Sequence, residues 1–74
     1  MTPYSNKGGN SGIAAYELGD GYIRVMFKSR EVYLYDHIRP GSNAVTEMQA
    51  LAVSGQGLNS YIGKYVRKNF RSKE

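Results

Sequence analysis

The sequence contains no cysteine, a single histidine (His37) and only two prolines. Without cysteine, neither a disulfide framework nor a thiolate zinc site can reinforce the fold. One histidine argues against a protein-built metal centre and leaves one residue that titrates near neutrality unaided. Long apolar runs are missing too. None approaches the ~20 residues that a membrane-spanning helix requires. Residues 1–10 place no apolar stretch behind Lys7, so no export signal is read here and the cytoplasm is the expected compartment. Acidic residues are scarce: six Asp and Glu face ten Lys and Arg, a net charge of +4. That balance suits nucleic acid, an anionic surface or an acidic protein partner, and charge alone does not choose among them.

The 74 residues suffice for one domain. A chain this short hides only about 60% of the surface its unfolded form exposes, so its core is thin. A deep two-lobed catalytic cleft has no volume to occupy. With 41% hydrophobic and 22% charged residues, the composition is that of a folded chain.

Residues 1–10 are polar, include Gly8-Gly9-Asn10, and read as a flexible tail. A single domain is expected over residues 11–70, with a frayed basic end at residues 71–74. Ile13-Ala14-Ala15-Tyr16-Glu17-Leu18 makes a short strand of weak alternation, closed by the turn residues Gly19-Asp20-Gly21. Tyr22-Ile23-Arg24-Val25-Met26-Phe27-Lys28 is the clearest strand. Ile23, Val25 and Phe27 share one face, and Tyr22, Arg24, Met26 and Lys28 the other. After a turn at Ser29-Arg30-Glu31, Val32-Tyr33-Leu34-Tyr35-Asp36 resumes the period of two.

Pro40-Gly41 ends the β part. A helix capped by Ser42 or Asn43 is expected over residues 43–53, burying Val45, Met48, Leu51 and Ala52. Gly55 suits a left-handed C-terminal position. A second helix follows from Gln56 or Gly57, with Leu58, Ile62, Tyr65 and Val66 turned inward and Gly63 weakening it. The predicted fold is α+β: a three-stranded antiparallel β-meander followed by two helices packed on one face, in the order β-β-β-α-α.

Catalytic constellations do not emerge. Asp36 adjoins His37, but neighbouring residues of a strand point to opposite faces, so the carboxylate is badly placed to orient the ring. The remaining carboxylates are scattered through turns and strand ends. Gly55-Gln56-Gly57 precedes a helix, yet lacks the feeding strand and the Lys-Ser/Thr ending of a phosphate loop. The expected chain is therefore not an enzyme and binds no cofactor or metal.

The basic residues carry more information. Lys64, Arg67, Lys68 and Arg71 fall at steps of three, four and seven, one stripe of a continuing helix. Such clustering is an electrostatic footprint of backbone binding to nucleic acid. A solvated outer face with cations near the helix C-terminus produces the same stripe. Tyrosine is the other unusual feature, at seven residues. Tyr33 and Tyr35 alternate with Val32 and Leu34, which places them opposite the aliphatic core, beside Arg24 and Lys28. There they can stack on unpaired bases or serve as ordinary sheet cover.

One pattern spans residues 11–65. Ile23-Arg24-Val25-Met26-Phe27-Lys28-Ser29 is followed by Val32-Tyr33-Leu34-Tyr35, then by Ile38-Arg39-Pro40. A helix through residues 48–52, Ser54-Gly55, and Leu58-Asn59-Ser60-Tyr61-Ile62 with Tyr65 complete it. This order resembles the KTSC domain, a short module named after the C-terminal extension of some lysyl-tRNA synthetases. The chain departs from the family at Arg30 and Glu31, where a turn glycine is usual, and at Arg39, which separates Ile38 from Pro40. Leu58 also takes a position that is often aromatic. The resemblance implies a non-enzymatic module, found also as small stand-alone proteins of bacteria and phages and loosely tied to nucleic-acid metabolism. It brings no established binding residues.

The expectation is a small, monomeric, cytoplasmic module that binds RNA or single-stranded DNA. Lys64, Arg67, Lys68 and Arg71, with Arg24 and Lys28, would contact phosphates, and Tyr33 and Tyr35 would stack on bases. The alternative is a protein-interaction module that docks on an acidic partner or a larger enzyme.

Overall fold

The alternation of Ile23, Val25 and Phe27 sets the frame of the sheet, and both ends of the chain return to it. The computed structural model describes residues 1–9 and 11–74. Five strands lie in chain order in one antiparallel sheet: β1 (Thr2–Pro3), β2 (Ile13–Gly19), β3 (Tyr22–Phe27), β4 (Val32–Asp36) and β5 (Ser72–Lys73). Helix α1 (Ser42–Ser54) and the short α2 (Leu58–Tyr61), which runs on into a π-helical turn (Ile62–Val66), supply the other layer. Val45, Met48, Ala52, Leu58, Ile62 and Val66 from these helices pack with Ile13, Tyr16, Ile23, Val25 and Tyr35 in one core. The fold is α+β, as the strand-then-helix order predicts, but the sheet has five strands rather than three.

The two additional strands come from the segments expected to be loose. β1 pairs with β2, Thr2 opposite Tyr16 and Pro3 opposite Ala15. Tyr4, 5% exposed, then enters the core, and its hydroxyl accepts the Leu58 N–H at 3.2 Å. Lys7 donates its N–H to the Gly55 carbonyl at 2.7 Å. The expected tail is therefore an edge strand and a core anchor, driven by burial of one tyrosine. Asn10, its last residue, lies outside the described residues. At the other end β5 pairs with β4, Lys73 opposite Tyr33 and Ser72 opposite Leu34, so residues 72–73 do not fray. Each terminus shields an edge of the central meander.

Weak alternation in β2 has a physical cause. Ile13 pairs with Phe27 and Ala15 with Met26, leaving Ala14 as an extra residue in a β-bulge. The insertion lets Ile13 and Tyr16, an odd step apart, both face the core, where they are 0% and 8% exposed. At the β2–β3 turn the Tyr22 ring lies directly over Gly19, and a side chain there would displace it. A Cβ there would lie 1.9 Å from the Tyr22 ring. Gln49 of α1 fastens the same turn through its Nε2, which donates to the carbonyls of Gly19 and Tyr22 at 3.0 and 2.9 Å.

β4 sits in the opposite phase to the one expected. The three-residue loop Lys28-Ser29-Arg30, with Arg30 at φ 76, closes on the Phe27 N–H to Glu31 carbonyl bond at 2.9 Å. Its length pairs Val25 with Tyr33 and Ile23 with Tyr35, so both tyrosines take the core face. Val32 and Leu34 turn to the helix-free face, opposite Met26 and Arg24. The loop fixes register, and register overrides residue preference.

Helix α1 follows its apolar periodicity, although neither Ser42 nor Asn43 caps it. Gly41 occupies the N-cap, without a side-chain hydrogen bond, and its carbonyl accepts from the Val45 N–H at 3.0 Å. Gly55 closes the helix in the left-handed region at φ 80, as expected.

Candidate nucleic-acid interface

The segment after Gly57 does not form the continuous helix that would align four cations. Gly57 caps α2 at φ 85, and after Tyr61 the backbone widens into the π turn, closed by an Arg67 N–H to Ile62 carbonyl bond. Arg67 itself is at φ 53, and helical geometry stops there. Ile62 and Val66 remain buried across the wide turn, but Tyr65 rotates outward and is 73% exposed. It was expected to be inside. The Tyr61 ring lies beside it, centroids 5.1 Å apart.

The basic residues thus divide into two sets. Lys64, Arg67 and Lys68, which flank Tyr65 in the sequence, are exposed and form no ion pair among the described residues. Lys28 is likewise exposed and unpaired, on the β3–β4 loop. Arg71 and Arg24 do not belong with them. Arg71 leaves the helix, pairs with Asp36 at 3.5 Å and sits beside β4. Arg24 is held on the helix-free sheet face by Glu17 at 2.7 Å and Glu74 at 3.0 Å, with its guanidinium 5.0 Å above the Tyr22 ring. The hydrogen bonds that Arg24 donates to those carboxylates, Glu74 foremost, raise its pKa further above its already high value. Lys73 is neutralised similarly by Glu31 at 2.5 Å, which lowers the Glu31 pKa and raises that of Lys73.

The stacking platform is absent where it was expected. Tyr35 is 1% exposed, and burial, with a smaller contribution from Tyr33, pushes its phenol up to about 12. Tyr33 is half-buried with its ring enclosed by Phe27 at 5.5 Å and Phe70 at 4.7 Å, while the Lys73 ammonium lies 5.8 Å from its centroid. Neither ring can take a base on its face. Tyr65, assigned by helical periodicity to the core, is the aromatic that stands free. The signals in the sequence were Gly63, which loosens a helix, and the Lys64-Tyr65 step followed by Arg67-Lys68.

Other candidate chemistry is placed as follows. His37 is exposed in the turn after β4. The Asp36 Oδ1 accepts the N–H groups of Ile38 at 3.0 Å and Arg39 at 3.1 Å, so it serves the turn rather than the imidazole. Burial opposes its ionisation, but these backbone donors and Arg71 hold its carboxyl below the ordinary value. Among the described residues, no group of three or more His, Asp or Glu side chains converges to hold a metal ion, and no helix is long and apolar enough to cross a membrane. A polar cleft of about 130 Å³ opens beside α2, between residues 4–9 with Ser11 on one side and residues 56–60 on the other. No protein-family model, curated protein or solved structure matches the chain, so its functional reading rests on its own residues.

Proposed function

We propose that this protein is a small non-enzymatic module that binds single-stranded nucleic acid, RNA or DNA, through the surface around Tyr65. The observation that carries the reading is one exposed tyrosine, Tyr65, in a five-residue segment that also bears three exposed cations without acidic partners, Lys64, Arg67 and Lys68. Phosphates supply the charge these residues lack, and an unpaired base supplies the apolar face that Tyr65 leaves in water. The rest of the molecule supports the assignment by contrast. Arg24, Arg71 and Lys73 are already neutralised within the fold, so the excess positive charge is displayed by residues 64–68 and by Lys7, Lys28, Arg30 and Arg39.

An amide chemical-shift titration with short single-stranded RNA, single-stranded DNA and duplex DNA tests this directly. Saturable shifts centred on residues 61–68, abolished by Arg67→Glu with Lys68→Glu, are the expected result. Saturable binding that leaves those residues unshifted would refute the assignment.

A further inference from the structure

Three of the described residues other than glycine have a positive φ, and two of them are arginines, Arg30 at φ 76 and Arg67 at φ 53. The third, Asn6, is of a type that tolerates this region, and the fold uses its side chain. Its Nδ2 donates to the carbonyls of Tyr4 and Ile13 at 3.2 and 3.3 Å. Arginine has no such local bond to gain. Arg30 ends the turn that its own N–H closes on the Phe27 carbonyl at 2.9 Å, the left-handed position usually given to glycine in three-residue hairpin loops. Arg67, at φ 53 and ψ −122, takes the first central position of the turn that the Asn69 N–H closes on the Val66 carbonyl at 2.9 Å, another glycine position. Both arginines are exposed, and among the described residues neither side chain makes a hydrogen bond or an ion pair. The fold thus holds two strained arginines and takes no polar contact from either. Strain of this kind concentrates where a ligand is gripped.

A chain of contacts ties the two loops to one end of the sheet. α2 starts beside Gly12, where an added Cβ would lie 3.8 Å from Asn59 Oδ1, and the Gly12 carbonyl accepts the Lys28 N–H at 2.7 Å at the mouth of the β3–β4 loop. The π turn that continues α2 leads through Arg67 to Phe70. The Phe70 ring lies 4.7 Å from Tyr33, itself 5.5 Å from Phe27, the last residue of β3 before that loop. Glu31, the acid next to Arg30, is already paired with Lys73. We infer that Arg30 is a further phosphate contact for the strand held at residues 64–68, so that Arg30 and Arg67 grip it from two loops. The inference rests on the nucleic-acid reading above and extends its surface from one segment to two. A guanidinium fork matches two phosphate oxygens at once, and a constrained backbone presents it from a fixed point.

Glycine at position 30 separates binding from folding, because it relieves the backbone and removes the contact together. Affinities of the full chain for labelled single strands of about four and about ten nucleotides are read by fluorescence anisotropy. For the longer strand at 50 mM salt, Arg30→Gly should weaken binding about three- to eightfold and make the slope of log affinity against log salt shallower by about 0.7, the share of one phosphate. The shorter strand, held by residues 64–68 alone, should bind variant and parent alike. The urea midpoint of Arg30→Gly should rise, so the lost affinity is not lost folding. Arg67→Gly should also raise the midpoint while weakening both strands. Arg30→Lys keeps the charge and should keep the parent slope. Arg39→Gln removes one exposed cation beyond the opposite end of β4 and should leave the affinity within about twofold. Equal losses in Arg30→Gly and Arg39→Gln would reduce Arg30 to its share of net charge and overturn the inference. So would a lower midpoint in either glycine variant, which would show the arginine serving the fold. Long-strand binding that Arg67→Glu with Lys68→Glu abolishes, but Arg30→Gly leaves unchanged, would overturn the inference and spare the function. No saturable binding of either strand would remove the function on which it rests.

Discussion

Replacing Tyr4 by phenylalanine removes one oxygen and tests whether the first residues belong to the folded domain. The Tyr4 hydroxyl accepts the Leu58 N–H at 3.2 Å, a buried bond joining residue 4 to the start of α2. Phenylalanine keeps the ring and its edge-to-face contact with Tyr16 at 6.4 Å, but leaves that N–H without a partner. An unsatisfied buried donor costs about 1–3 kcal/mol. Tyr4→Ala also empties the ring volume, and large-to-small changes at buried aromatics cost about 3–5 kcal/mol. At roughly 0.05–0.15 kcal/mol per residue, a chain of this size has a total stability of about 4–11 kcal/mol. Urea unfolding followed by circular dichroism should therefore show Tyr4→Phe lowering the midpoint by about 1 M, taking a slope of about 1–2 kcal/mol/M. Tyr4→Ala should lower it by roughly twice as much or more, since about 3–5 kcal/mol is a large share of that total. If both variants unfold within about 0.3 kcal/mol of the parent, as surface substitutions do, the segment is not anchored and the reasoning fails.

Further predictions follow from single features. Arg30 is at φ 76, a region that costs a non-glycine residue about 1–2 kcal/mol, so Arg30→Gly should stabilise the protein by about 0.5–1 kcal/mol, read as a higher urea midpoint. A lower midpoint would show that Arg30 makes compensating contacts. The Tyr35 phenol is raised from 10 to about 12, so the unfolded chain loses this proton first as pH rises. Its contribution to stability is complete below pH 10 and falls by about 3 kcal/mol as pH passes 12. Tyr35→Phe should remove that share of the alkaline loss, and an unchanged alkaline profile in the variant would contradict the assignment. Tyr65→Ala should leave the unfolding midpoint unchanged, because the ring is 73% exposed. It should weaken oligonucleotide binding by about 1–3 kcal/mol, measured by fluorescence anisotropy, and an unaltered affinity would remove Tyr65 from the interface.

What the sequence discloses depends on whether local or distant contacts decide the outcome. β3 and α1 are legible because their apolar periods repeat, and Gly55 announces its left-handed position. The phase of β4 is not legible, since a three-residue loop with Arg30 at φ 76 sets the pairing and tyrosine is at home on either face. β1 and β5 are two residues each and hold through partners some 12 to 40 residues away, as in Thr2 with Tyr16 and Lys73 with Tyr33, so no local period marks them. The site was half legible. Lys64, Arg67 and Lys68 keep their exposure, but extending an α-helical period through Gly63 misassigned Tyr65 and carried Arg71 onto a helix that ends at Val66.

The central claim is that three unpaired cations and Tyr65 hold a single strand, and the salt dependence of oligonucleotide affinity tests it most directly. Each phosphate contact to a single strand contributes about −0.7 to the slope of log affinity against log salt, so three contacts predict a slope near −2. Raising salt from 50 to 200 mM should then weaken binding about twentyfold, and Arg67→Glu with Lys68→Glu should flatten the slope along with the affinity. Affinity that is insensitive to salt, or no saturable binding at 50 mM salt, would contradict the account.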